Sequence, residues 1–96
     1  MPTVVFAPAI ARWLSADPQS RGEKAVAATG ATVREVLASV FAQYPVLRGY
    51  VVDEHGALRH HVVAFVNGEP VRDKQSLNES VPDDGEIYVL QALSGG

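Results

Sequence analysis

The residues of this sequence best placed to do chemistry are its last two, Gly95 and Gly96. They follow a β-branched and aromatic stretch at 86–92, which predicts a strand that runs almost to the end of the sequence. Glycine has no Cβ and adopts backbone conformations closed to other residues, so such an end fits a channel too narrow for side chains. It would present the Gly96 carboxylate to another protein's active site. Terminal residues are also commonly frayed, so the two glycines alone leave both interpretations open.

The three histidines raise the question of a metal site. His60 and His61 are adjacent where the sequence leads into a strand, and neighbours on a strand point to opposite faces of the sheet. The sequence has no cysteine, and no suitably spaced carboxylate joins His55 or the other two in a ligand set. We therefore predict no metal and no bound cofactor.

An acidic turn at Asp83, Asp84 and Glu86 is a further candidate site. Paired carboxylates can work as acid and base, but an Asp-rich run is more often a solvated turn whose side chains bond their own backbone. We favour the solvated turn. Lying near the tail, these charges would steer a basic groove on a partner and affect the rate of encounter more than affinity.

Composition restricts the class of protein. The 96 residues suffice for one domain with a modest core. A net charge of -3 with scattered arginines argues against nucleic-acid binding. No apolar run approaches the ~20 residues of a membrane span, and the first residues lack the basic and apolar regions of a signal peptide. We expect a cytoplasmic protein that is a monomer when free and binds neither nucleic acid nor membrane.

Alternating apolar residues and turn signals predict the strands. Pro8 ends the first strand, and glycines bound a weaker, alanine-rich second one. Asn67-Gly68 is the strongest short-range hairpin signal and separates a third strand from a short fourth one. The predicted strands are 3–7, 23–28, 62–67, 69–72 and 86–92.

One amphipathic helix is predicted between the second and third strands. Thr32 and Glu35 have the spacing of a capping box, in which each side chain satisfies a backbone donor at the other position. Pro45 ends the helix, because the residue before a proline avoids the helical region. Its apolar stripe is Val33, Val36, Leu37, Val40, Phe41 and Tyr44. The stretch that follows is irregular, and four of its apolar side chains are expected to tuck under the sheet: Val46, Leu47, Tyr50 and Val51.

This order of elements predicts an α+β protein of the β-grasp type. The last strand inserts beside the first, which gives a mixed sheet of four to five strands covered on one face by one main helix at about 32–44. We assign 1–92 to a single β-grasp domain and 93–96 to a flexible Gly-Gly tail.

The third and last strands are apolar on both faces, whereas a sheet with one wet face normally alternates apolar and polar residues. If the helix covers Ala64, Val66, Ile87 and Val89, the other face carries an apolar patch that suggests a partner-binding surface near the tail. The alternative is that the segment 46–61 folds over this face. The expected partner-binding residues are Val63, Phe65, Tyr88 and Leu90, with Leu93 and Ser94 of the tail.

A β-grasp that ends in Gly-Gly resembles the ubiquitin-like sulfur carriers of the MoaD/ThiS family. The motifs that carry the resemblance are Val66-Asn67-Gly68-Glu69, Asp83-Asp84-Gly85-Glu86-Ile87 and Ser94-Gly95-Gly96. The resemblance covers essentially the whole sequence, and the combination of its motifs is more specific than any one of them.

Membership of that family implies a protein cosubstrate and not an enzyme. An E1-like adenylating enzyme would use ATP to convert the Gly96 carboxylate to an acyl-adenylate. Sulfur from a persulfide or sulfide would then displace AMP and leave a thiocarboxylate, which a sulfur-accepting biosynthetic enzyme would consume. The ending and the segment at 48–61 favour a carrier for cysteine or secondary-metabolite biosynthesis over the molybdopterin or thiamine types.

Two alternative functions are compatible with the same sequence. One is a ubiquitin-like protein modifier that is conjugated to lysines through Gly96. The other is a non-catalytic β-grasp interaction module in which the glycines are incidental.

Overall fold

A computed structural model of the chain describes residues 1–11 and 22–91. This part of the chain contains five strands and four helical segments. In chain order they are β1 (Thr3–Phe6), α1 (Pro8–Ala11), β2 (Lys24–Ala27), α2 (Val33–Gln43), a 3-10 turn (Pro45–Leu47), α3 (Arg48–Val51), β3 (Val62–Val66), β4 (Glu69–Pro70) and β5 (Glu86–Gln91).

The strands form one mixed sheet in the order β2-β1-β5-β3-β4. The last strand lies between the first and the third, parallel to β1 and antiparallel to β3. The two outer pairs, β1 with β2 and β3 with β4, are antiparallel. This is the predicted β-grasp arrangement, and each predicted strand is present with ends shifted by one or two residues.

Helix α2 covers one face of this sheet, as its sequence period predicts. Val36, Leu37 and Val40 are buried together with the inward side chains of the strands. At the start of the helix the Glu35 N–H donates to the Thr32 hydroxyl oxygen at 3.2 Å. The Glu35 carboxylate accepts from the Ala31 N–H at 2.8 Å, one residue earlier than a standard capping box predicts.

The loop before β5 closes over the first turn of α2. The Val33 N–H donates to the Glu79 carbonyl at 3.0 Å and the Arg34 N–H to the Leu77 carbonyl at 2.9 Å. The Arg34 side chain also donates to the carbonyls of Ser76 and Gln75, at 2.9 Å and 3.1 Å. The two backbone bonds satisfy helical N–H groups that have no partner within the helix, and the side-chain bonds hold the loop to the same turn.

Two short helices were not predicted. Pro8 does end β1, but it is also the first residue of α1, where proline costs no hydrogen bond. The segment after α2 forms the 3-10 turn and α3, which bury Leu47 and Val51 in the core. The prediction that its other two apolar side chains are tucked in is wrong, because Val46 is 54% and Tyr50 42% exposed. Within the described ranges, no helix is long and apolar enough to cross a membrane.

Candidate functional site

The two faces of β3 and β5 differ in what covers them. Ile87 and Val89 point to the α2 side and are completely buried, while Tyr88 and Leu90 between them point the other way and are half-buried. On β3, Ala64 is buried on the α2 side, whereas Val63 and Phe65 are half-buried on the opposite one. The structure therefore places all four predicted patch residues on one face, opposite the helix. We call Val63, Phe65, Tyr88 and Leu90 the open face.

Pairing between strands makes the open face continuous. Leu90 lies opposite Val63, and Tyr88 lies opposite Phe65. On its other side Tyr88 pairs with Val5 of β1. Side chains directly opposite each other on one face are in contact distance, so these residues form one apolar surface along the strand that leads to the tail.

A polar contact fixes the position of Tyr88 on this surface. Its hydroxyl donates to the Glu23 carboxylate at 2.5 Å. Glu23 directly precedes β2, so the phenol extends past β1 towards that edge of the sheet. The hydrogen bond to Glu23, with smaller contributions from desolvation and negative charge, raises the pKa of Tyr88 above its usual 10.0. The phenol therefore stays protonated, and its hydroxyl already has a hydrogen-bond acceptor within the chain.

The segment 46–61 does not bury the open face. Its buried side chains are part of the same core as α2, and the 3-10 turn that starts the segment packs against that helix. The open face consequently stays partly accessible. Contact of this face with a partner remains a prediction.

Strand β5 ends at Gln91, which is the last described residue and precedes the tail. Gln91 pairs with Val62 at the start of β3. The predicted reactive terminus, Gly95 and Gly96, and the predicted tail contacts Leu93 and Ser94 lie outside the described residues.

The acidic turn is not where the sequence prediction put it. Asp83, Asp84 and Glu86 are exposed, but they precede or begin β5, whereas the tail leaves from its other end. The strand separates Glu86 from Gln91 by about 16 Å at 3.3 Å per residue. These charges therefore do not surround the tail. Glu86 instead pairs with the hairpin turn, because its N–H donates to the Asn67 side-chain oxygen at 2.9 Å.

The residues that do flank the start of the tail are basic. Arg59, His60 and His61, which we call the basic turn, lead into β3 and line an open concavity that also includes Gln91. The two imidazole rings are 4.8 Å apart and meet edge to face. The expectation that these histidines point to opposite faces of a strand is wrong, because both precede β3 and lie in a turn.

A register argument could have located the basic turn. Once β3 is predicted to start at Val62 and to pair antiparallel with the end of β5, the residues before it must lie beside the tail. Among residues 1–11 and 22–91, no three histidine, aspartate or glutamate side chains are grouped closely enough to hold a metal ion.

Comparison of the sequence with known protein families gives a match over most of the chain. Residues 14–96 match the model of the ThiS family. The sulfur carrier protein CysO of Mycobacterium tuberculosis is 31% identical over 81 residues, which are 82% of this chain and 87% of that protein.

Solved structures agree with the sequence comparison. The chain superposes on one chain of the Amycolatopsis orientalis BexX/CysO complex with a TM-score of 0.81 and 27% identity, which covers 100% of this chain and 100% of that one. The small archaeal modifier protein 1 of Methanosarcina acetivorans gives a TM-score of 0.69 at 25% identity, over 100% of this chain and 98% of that one.

Proposed function

This chain belongs to the ThiS family of ubiquitin-like sulfur carriers, and we propose that it carries sulfur as a thiocarboxylate on Gly96. The observation that supports this most directly is that the family match extends through residue 96, so the Gly-Gly end is part of what matches. A sulfur carrier transports a reactive group and is not itself a catalyst. The chemistry is then performed by partner enzymes.

The proposed sequence of reactions begins with activation of the carboxylate. An oxygen of the Gly96 carboxylate attacks the α-phosphorus of ATP on an E1-like enzyme, and pyrophosphate leaves. Sulfide then attacks the carbonyl carbon of the acyl-adenylate, and AMP leaves with its bonding electron pair. The product is a thiocarboxylate, whose sulfur is a nucleophile for a second enzyme. The carrier supplies positioning of the reacting group.

The acceptor belongs, in this proposal, to cysteine or secondary-metabolite biosynthesis. Two matches support it: the mycobacterial relative is named a CysO sulfur carrier, and another CysO has been solved in a complex with BexX. Molybdopterin biosynthesis and thiamine biosynthesis are the alternative destinations of the sulfur. The expected cytoplasmic location of the carrier stays a prediction.

The open face is the proposed docking surface for the activating enzyme. Its side chains are mainly apolar and partly exposed. Contiguous exposed apolar surfaces mark interaction sites more often than scattered apolar residues do. Its strand β5 runs directly to the tail. An enzyme seated on this face can therefore take up Leu93, Ser94 and the two glycines in continuation of the strand.

Two measurements test the proposal. Intact mass spectrometry of the protein from its native host should show the mass increase for replacement of one oxygen by one sulfur. Deletion of Gly96 should abolish carrier-dependent ATP–pyrophosphate exchange by the host's activating enzyme, while Gly95→Ala, which keeps the terminal carboxylate but adds a side chain, should only weaken it. Both variants should unfold at the same temperature as the wild type.

Other results would favour another function. Exchange that persists without Gly96 contradicts the carrier function. A ladder of larger conjugates in the host, without the sulfur-containing form, favours the protein modifier, a function for which the Methanosarcina acetivorans neighbour is named.

A further inference from the structure

The basic turn is fixed next to the point where the tail leaves the sheet. Val62, which follows it directly, pairs with Gln91 at the end of β5. The Val62 N–H also donates to the Arg59 carbonyl at 2.9 Å, which closes the turn against the start of β3. Any enzyme that encloses the tail from its first residue must therefore approach this turn.

The basic turn offers hydrogen-bond donors and positive charge to such an enzyme. The Arg59 Nε donates to the Gly49 carbonyl at 2.6 Å, and this bond orients the guanidinium. Its terminal nitrogens make no hydrogen bond within the described ranges. His60 and His61 are exposed, and an imidazole can donate a hydrogen bond whether it is neutral or charged. None of the described residues that line the concavity is an aspartate or a glutamate.

The surrounding carboxylates are occupied or lie elsewhere. The pKa of Asp53 is lowered chiefly by the hydrogen bond from the His55 N–H, with smaller contributions from the Ala57 N–H and from the charge of Arg59. Both N–H groups donate to Oδ1 of Asp53. Glu23 directly precedes β2, which is separated from β5 by β1, and its carboxylate accepts from the Tyr88 hydroxyl. The exposed acidic turn lies at the far end of β5. The charged side chains that line the concavity beside Gln91 are thus basic, whereas the acidic turn lies at the opposite end of β5.

The length of the tail decides which anionic group the basic turn can reach. The five residues 92–96 follow Gln91, and they span about 17 Å when extended. With the tail extended in a narrow channel, the phosphate of an adenylate on Gly96 is too far away to contact the turn. The group within reach is the rim of the channel, which is a protein surface.

We propose that Arg59, His60 and His61 bind an acidic surface at the mouth of the channel through which the activating enzyme takes up the tail. This inference rests on the proposed function. The contact supplements the open face, and its charges orient the carrier so that the tail end approaches first. Complementary charges of this kind contribute mainly to encounter rate and to selection of the partner.

Charge-reversal variants test the contact. His60→Glu and His61→Glu are compared with His55→Glu, which makes the same change at an exposed histidine in the 53–57 turn. Steady-state ATP–pyrophosphate exchange with the host's activating enzyme gives KM for the carrier and kcat. We expect each of the first two variants to raise KM about threefold and the double variant about tenfold, with kcat unchanged and the effect lost in high salt. His60→Lys/His61→Lys should lower KM.

The outcomes separate this inference from the function on which it rests. A wild-type chain that supports no exchange overturns both. Full exchange with a KM that responds equally to all three single variants overturns the inference alone. So does a lower KM for the double glutamate variant, which would mean that the basic turn holds the tail's own carboxylate in the free protein. Thermal unfolding of every variant shows whether the fold is retained.

Discussion

At the scale of single residues, glycines are required at specific points of this fold, and Gly30 is the clearest case. Its φ of +143° lies in a region that side chains avoid. A Cβ at this position would lie 2.7 Å from the Cβ of Glu35 and 2.7 Å from the backbone nitrogen of Val36. Both atoms belong to the first turn of α2, so neither can move without disturbing the helix. Gly30 therefore allows the chain to pass close to the start of α2.

We expect Gly30→Ala to lower the free energy of unfolding by about 2 kcal/mol, the order of cost for a strained backbone conformation combined with a steric clash. Gly49→Ala is the matched control, because a Cβ there meets no atom within 4 Å and its backbone is already helical. That control should be neutral or slightly stabilising. Urea denaturation of both variants measures the difference, and equal effects would contradict the steric explanation.

At the scale of elements, the order of strands along the sequence could be predicted, because turn signals and apolar alternation are local. The place of the last strand beside the first followed from the match of that order to a β-grasp. The capped helix was predictable for the same reason. Helices α1 and α3 were missed, since each has only four residues and is stabilised by burial of a few side chains and not by an extended pattern. The positions of the acidic and basic turns depend on strand register, which connects residues far apart in the sequence.

The loop between β4 and β5 is an element without regular structure that nevertheless holds α2. Its turn depends on Asp73, whose carboxylate accepts from the Ser76 hydroxyl and from the backbone N–H groups of Gln75 and Ser76. The carbonyls of Gln75 and Ser76 in turn accept from Arg34. The hydrogen bond from the Ser76 hydroxyl, followed by those from the two N–H groups, lowers the pKa of Asp73 below 3.8.

This lowered pKa predicts how the loop's contribution depends on pH. A carboxylate with a depressed pKa stabilises the folded state above its ordinary pKa of 3.8, and the stabilisation disappears as the pH falls through the folded-state value. We expect Asp73→Asn to unfold a few degrees below the wild type at neutral pH, with the difference shrinking below pH 3.8. Melting curves of both proteins across this range test it, and a difference independent of pH would show that the charge is not responsible.

At the scale of the whole molecule, one face of the sheet contributes to stability, and the other is the proposed surface for binding the activating enzyme. The face under α2 is dry and contains the fully buried side chains of the core. The open face is half-buried and runs beside the strand that ends at the tail. Side chains along β5 alternate between the two faces. A substitution on the buried face should therefore change stability, and a substitution on the open face should change binding of the activating enzyme.

Leu90→Ala and Ile87→Val make this comparison within β5. Leu90 is half-buried on the open face, so its truncation should raise the carrier's KM with the activating enzyme about tenfold, the cost of losing one well-packed interface side chain. Ile87 is fully buried under α2, so Ile87→Val should lower the free energy of unfolding by about 1 kcal/mol and leave KM unchanged. Exchange kinetics and urea denaturation are measured on both proteins. If Leu90→Ala changed only stability, the open face would be structural and the enzyme would have to recognise the carrier through its tail and the basic turn.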